Sequence, residues 1–377
     1  MRRLLFLSWV LLVGCGDKAP SSSSVDPPAS SEFDPKESSS RPAPPRPLGP
    51  AQAFSSPDEK FVAISGVNDN DIWALGSRGA ATWALRHWDG TTWKDSATSV
   101  PVFSGRDSFP LGISVTSTDD AWAVGTNGVV RHWDGKSWAP SDTQSFVLPD
   151  TGEGPRDCMK CMIVETSLFS VYGAARDDVW AVGYASPVPD WYDPALVVHY
   201  DGVAWARVKV DVGDGLFQVW GTGPRDVWAA GSSGLTIHFD GNAWTRMDGG
   251  TTLYRWGIWG SAANDVWAVG QSGGITRFDG SRWLERERQP SSDVYREHRA
   301  ISGSSPNDVW AVGSAQALSP PRAPPPAQRL VSRWDGARWT TAVTNDAPLT
   351  GVWVSPFGRV WVTGSAIEEI SSMPFVP

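Results

Sequence analysis

Leu216-Phe217-Gln218-Val219-Trp220-Gly221, Thr222-Gly223-Pro224-Arg225-Asp226 and Val227-Trp228-Ala229-Ala230-Gly231 open the shortest copy of a unit that recurs along this chain. The unit continues through an apolar run at 235–239, the turn Asp240-Gly241 and a last run at 244–247. Four short runs separated by three tight turns read as an antiparallel meander, and Asp-Gly supplies the positive φ angles that a two-residue hairpin requires. The second run, Val227 to Ala230, is apolar at every position. Such a sheet cannot leave either face in water, so neighbouring sheets must cover both.

Working outward, Asp71-Ile72-Trp73-Ala74-Leu75-Gly76 returns around Trp122, Trp180, Trp228, Trp267 and Trp310, with a looser copy at Trp361. The intervals of 49, 58, 48, 39, 43 and 51 residues make 39 the minimal unit and the excess insertion. A second element, Asp-Gly-x-x-Trp, follows six of the seven copies, at Asp89, Asp134, Asp201, Asp240, Asp279 and Asp335. Two elements in fixed order at a period near 40 to 50 residues indicate the blades of a β-propeller. The expected fold is all-β: one seven-bladed propeller of four-stranded blades over residues 51–377.

These repeats resemble bacterial propeller repeats of the broad Asp-box and kelch type. They depart from both: Asp and Gly are adjacent here where the Asp-box has Asp-x-Gly-x-Thr-Trp, and only Gly273-Gly274 matches the kelch glycine pair. The last copy turns through Phe357-Gly358-Arg359 and lacks Asp-Gly-x-x-Trp, so its outer strand is missing. Residues between Phe54 and Glu59 are expected to supply it and close the ring.

Composition agrees with this reading. The chain has 377 residues, with 38 Gly, 30 Pro and 23 Trp but 3 Cys, which excludes a disulfide-built scaffold. Its 41 acidic against 32 basic residues give a net charge of -9, and no basic cluster offers a nucleic-acid surface.

The first residues read as an address. Arg2 and Arg3 precede an apolar run from Leu4 to Val13, too short to span a bilayer but right for a signal-peptide core. Leu12-Val13-Gly14-Cys15 resembles the lipobox of bacterial lipoproteins, which implies cleavage after residue 14 and a diacylglycerol on Cys15. Gly16 and Asp17 follow; by resemblance to the enterobacterial sorting rule, Gly16 implies the outer membrane, with the side left open. Removing residues 1–14 takes away two Arg and no acid, leaving a charge of -11. Half of residues 15–50 are Ser or Pro, a composition that cannot fold and forms a tether spanning roughly 30 to 36 Å as a coil. The expected location is the bacterial cell envelope, on a lipid anchor.

In a meander the turns after strands one and three lie at one end of the ring, and the Asp turns occupy that end. The long insertions at 139–166, 184–195, 284–297 and 314–328 fall at the other end, which makes it the candidate binding face. Trp191 and Tyr192 break the repeat there and suit ligand or glycan contact. Tyr295, Arg296 and His298 belong to a polar cluster in another insertion, which reads as an anion contact or a solvated loop. Cys158 and Cys161, in Cys-Met-Lys-Cys, are expected to form a local disulfide. His87, His132, His199 and His238 share one repeat position, taken by Arg277 and Arg333 in two copies. Recurrence around a ring marks a structural role, so no metal or other cofactor is expected. The motif Trp residues fall to the same reasoning, as interblade packing. No nucleophile elbow, His-Glu-x-x-His, P-loop or Ca²⁺ loop occurs.

The sequence therefore points to a monomeric, non-enzymatic propeller that binds an envelope or extracellular protein through its long-loop face. Two alternatives stay open: a lectin-like propeller for surface glycans, and a polysaccharide hydrolase or lyase built from acids converging on the axis.

Overall fold

The computed structural model describes residues 53–79, 82–96, 108–142, 164–187, 195–287, 294–318 and 326–370. These form seven four-stranded antiparallel sheets, and in six of them the strands follow chain order. Blade 4 is representative, with strands Leu216–Gly223, Asp226–Gly231, Thr236–Phe239 and Trp244–Met247. Blades 1 to 6 begin at Glu59, Pro110, Val164, Leu216, Arg255 and Val294. Blade 7 takes Gly351–Val354, Val360–Thr363 and Ala366–Glu369 from the end of the chain and its outer strand, Phe54–Ser55, from the beginning. Phe54 stands opposite Ile367 and Ser55 opposite Ala366, the closure expected from the missing Asp-Gly-x-x-Trp element.

The sheets pack face to face, which is why the second strands are apolar throughout. In Asp265–Gly270 every residue is buried. Each motif Trp reaches into the next blade: Trp73 meets Trp133 and Trp138 at 5.0 and 5.3 Å, and Trp228 meets Phe278 at 5.0 Å. Trp361 closes the circle against Trp88 and Trp93, both at 5.4 Å. Such pairs contribute ~0.5–1.5 kcal/mol each beyond the area they bury.

The recurring His has a defined partner set. His238 Nε2 lies 2.7 Å from Asp226 Oδ1 and its ring stacks on Trp228 at 4.0 Å. The same pairing joins His87 to Asp71, His132 to Asp120 and His199 to Asp178. Arg277 and Arg333 reproduce it by donating Nε–H to Asp265 and Asp308 while lying over Trp267 and Trp310. Thr222, Ser261 and Ser304 donate to the second carboxylate oxygen in blades 4, 5 and 6. Burial opposes ionisation of Asp226, but hydrogen bonds from His238, Thr222 and Trp228 outweigh it and hold its pKa below the usual carboxylate value. The motif Asp is thus a buried or half-buried hub of blades 1 to 6 as well as a turn residue.

The Asp-Gly turns differ from the two-residue hairpin read from sequence. Phe239 pairs with Trp244, so four residues span the gap. Gly241 has φ +91° while Asp240 is not in the left-handed region. Asp240 Oδ1 instead accepts the backbone N–H groups of Asn242 and Ala243, and the other five copies repeat this arrangement. Those two donors stabilise the ionised carboxylate, whose pKa lies below its ordinary value.

The Asp turns gather at one end of the propeller, and the described strand ends that lead into the insertions lie at the other. The insertions themselves are narrower than read from sequence. In blade 3 the hairpin extends to Pro187, with Tyr184 opposite Ala195. In blade 6 the first strand already begins at Val294, and Ala315 pairs with Gln328. An apolar or alternating flank lets these strands run on past the point where the repeat alone would end them.

Candidate functional site

Each first strand in blades 1 to 6 carries a β-bulge at the same place. The register skips Val62, Leu111, Phe169, Phe217, Trp256 and Arg299. Each lies two residues before the buried Ile64, Ile113, Val171, Val219, Ile258 or Ile301, and Thr350 stands at the same spacing before Val352 in blade 7. A bulge leaves one residue unpaired and re-aims its side chain. Here all seven side chains, one per blade, line a single cavity of about 550 Å³ on the propeller axis.

The cavity opens at the insertion end, since these positions lie at the start of strands that run toward the Asp turns. Its other wall residues are apolar for the most part, including Ala63, Ile113, Pro348 and Leu349, with Ser170, Gln218 and Ser314 as the polar exceptions. Further along the same strands Tyr172, Trp220, Trp259 and Trp353 do not line it; they pack over Gly221, Gly260, Gly303 and Gly66 of the following blade. The space is an axial pit walled by all seven blades.

One side of the rim is a continuous aromatic crescent. Tyr184 meets Phe169 at 5.5 Å, Phe169 meets Phe217 edge-on at 5.6 Å, and Phe217 stacks on Trp256 at 4.4 Å. Tyr254 packs against both Phe217 and Trp256 and keeps 42% of its surface exposed. Arg299 ends the crescent with its guanidinium 4.6 Å above Trp256 and 2.8 Å from Glu297 Oε2. The exposed Phe109 and Leu318 also lie toward the insertion end.

The polar cluster expected in a solvated loop is instead part of the innermost strand of blade 6, Val294–Ser305. Tyr295, Arg296 and His298 do not line the pit, whereas the next residue, Arg299, does. Tyr295 is half-buried; burial and the nearby Glu297 charge raise its pKa. Arg296 is half-buried as well. His298 is 3% exposed, with Nε2 2.9 Å from Ser332 Oγ, and Nδ1 has no hydrogen-bond partner among the described residues. Burial and the charge of Arg296 push its pKa down to about 4. Its side chain is not at the surface. Trp191, Tyr192, Cys158, Cys161 and Cys15 lie outside the described residues.

Among the described residues no group of three or more His, Cys, Asp or Glu is placed to hold a metal. The described lining of the pit contains no carboxylate either. The crescent itself went unread in the sequence, although the constant two-residue spacing before the buried Ile or Val could have revealed it.

No family model matches the sequence, and no curated protein does. Solved structures do resemble it. YCF48 bound to D1 peptide aligns with a TM-score of 0.57 at 14% identity, over 85% of this chain and 97% of that one. The WD40 β-propeller domain of Doa1 gives 0.57 at 10% identity, over 84% and 94%. Streptogramin B lyase gives 0.56 at 13% identity, over 85% and 96%. At these identities the likeness is one of fold: the chain is a seven-bladed β-propeller.

Proposed function

We propose that this chain is a lipid-anchored, extracytoplasmic propeller that works as a non-enzymatic interaction scaffold, binding a protein partner at the axial pit and its rim. The observation that carries this reading is the convergence of six bulge side chains and Thr350, one residue per blade, on one pit of about 550 Å³ with mixed apolar and polar walls, a size suited to holding a ligand group. A pit edged by aromatic residues and one Arg matches the anchor pockets of protein interfaces, where aromatic and Arg side chains dominate the binding energy. A propeller of similar fold has been solved with a peptide bound, the D1 peptide on YCF48.

A glycan ligand is less well supported. Sugar stacking requires an open aromatic face, and Trp256 has Phe217 on one face and Arg299 against the ring. The anchor rests on Cys15 after its signal core, and the Ser/Pro tether of residues 15–50 holds the propeller off the membrane.

The detergent-solubilised full chain, offered short peptides and a panel of envelope polysaccharides in parallel, tests the binding reading. Saturable peptide binding weakened about tenfold by Phe217→Ala is expected; binding of polysaccharides alone would sink it. Incorporation of labelled palmitate that disappears in Cys15→Ser tests the anchor.

A further inference from the structure

We infer that the axial pit takes the carboxyl-terminal residue of its partner polypeptide, with an apolar last side chain against the aromatic crescent and the terminal carboxylate on Arg299. The inference rests on the reading above that the partner is a protein.

Arg299 is the single charged residue in the ring of seven; its equivalents are Val62, Leu111, Phe169, Phe217, Trp256 and Thr350. Its side chain is 44% exposed, whereas that of Glu297, its counter-ion, is 11% exposed and set back on the same strand. A guanidinium carries five N–H donors in a planar fork, and one nitrogen is engaged by Glu297. The remaining donors suit a second carboxylate, which Arg binds in bidentate fashion. The Trp256 ring beneath and Glu297 beside it fix the direction of the guanidinium, so little side-chain freedom is lost when an anion arrives.

The neighbouring walls decide what the anion belongs to. Trp256 and Arg299 occupy adjacent blades at the same depth, so the ligand must present an apolar group and a carboxylate side by side. An internal acidic residue fits less closely, because in an extended chain the nearest side chain on the same face is two residues and roughly 6.6 Å away, against 4.6 Å between the Arg299 guanidinium and the Trp256 ring. A terminal residue carries its side chain and its carboxylate on one Cα. The pit is walled by the first strands of all seven blades, so a ligand group that enters it meets the crescent and Arg299 together.

The test uses short synthetic peptides ending in Leu, Val, Phe or Met, each made as the free acid and as the amide, with fluorescence anisotropy on the detergent-solubilised full chain. Free acids are expected to bind at least tenfold more tightly than their amides. Arg299→Gln should bring the acid down to the level of the amide while leaving the amide unchanged, and Arg299→Lys should restore part of the difference. Thermal unfolding of each variant confirms that the ring is intact. Amides that bind as tightly as acids would overturn the chain-end inference and leave the protein-partner reading standing. If no peptide binds in either form while a polysaccharide does, both fall together.

Discussion

Phe54 stands opposite Ile367 in the outer half of blade 7, so a two-residue strand from the start of the propeller holds its last sheet. Phe54 also meets Phe61 edge-on at 6.0 Å and lies 4.5 Å beneath the Arg86 guanidinium. Beside it Glu59, 2% exposed, accepts hydrogen bonds from Arg86 and Arg78. Burial alone would raise the Glu59 pKa, but those two Arg bonds hold it below its ordinary value. A fully buried Phe truncated to Ala costs about 3–5 kcal/mol, and the half-buried Phe54 should cost about 1–3 in Phe54→Ala. Urea unfolding measures it; an unchanged midpoint would mean that the interblade Trp contacts close the ring unaided.

The Asp–His–Trp arrangement yields a second prediction with its own control. In His238→Ala the stack on Trp228 and the bond to Asp226 are both lost, leaving a partly buried carboxylate with fewer partners, and destabilisation of about 1.5–3 kcal/mol is expected. His238→Arg should stay within about 1 kcal/mol of the parent, because Arg277 and Arg333 already make this contact in blades 5 and 6. Equal loss in both variants would show that the imidazole itself is required.

Much of the fold was legible in the repeat, for a physical reason. Trp73 and its copies recur because each must fill the same gap between blades, and that requirement imprints a period on the sequence. The closing strand was legible through a deficit, the missing Asp-Gly-x-x-Trp after Trp361. The pit was not. Phe217 and Trp256 look like ordinary members of apolar strands, and only the bulge, a property of pairing, turns them toward the axis. His298 misled in the opposite direction. It sits among charged neighbours in sequence but occupies a position filled by Leu168, Leu216 and Leu349 in other blades.

Glycine at the Asp turns answers two demands, and two variants separate a required glycine from a tolerated one. Gly241 has φ +91°, and a Cβ there would sit 2.8 Å from Arg225 Cβ. Gly241→Ala should therefore cost about 1–3 kcal/mol through strain and crowding. A Cβ on Gly223 meets nothing within 4 Å, so Gly223→Ala should be neutral or stabilising by up to about 1 kcal/mol. Thermal melts should fall for Gly241→Ala and stay level or rise for Gly223→Ala; a matched fall would refute the local account.

His298 makes part of the stability depend on pH, with a sign that can be worked out. Its pKa falls from an ordinary 6.5 to about 4 in the folded chain, because burial and Arg296 disfavour the charged ring. Between those values the unfolded chain binds a proton that the folded chain does not, so stability drops as pH falls from about 6.5 toward 4, at most by about 1.4 kcal/mol per pH unit. Carboxylates held low, such as Glu59 and Asp226, give up their contribution only as pH falls below their ordinary values of 4.5 and 3.8, a lower window. His298→Leu, the residue that blades 3, 4 and 7 use at this position, removes the titrating group, and Ser332 keeps Thr341 as a partner. Urea midpoints for both proteins at pH 7 and pH 4.5 isolate the effect, since every other titrating group is common to the two. The variant should lose less stability over this interval than the parent. Parallel losses would place the proton elsewhere and show that His298 takes up its proton as readily in the fold as in the unfolded chain.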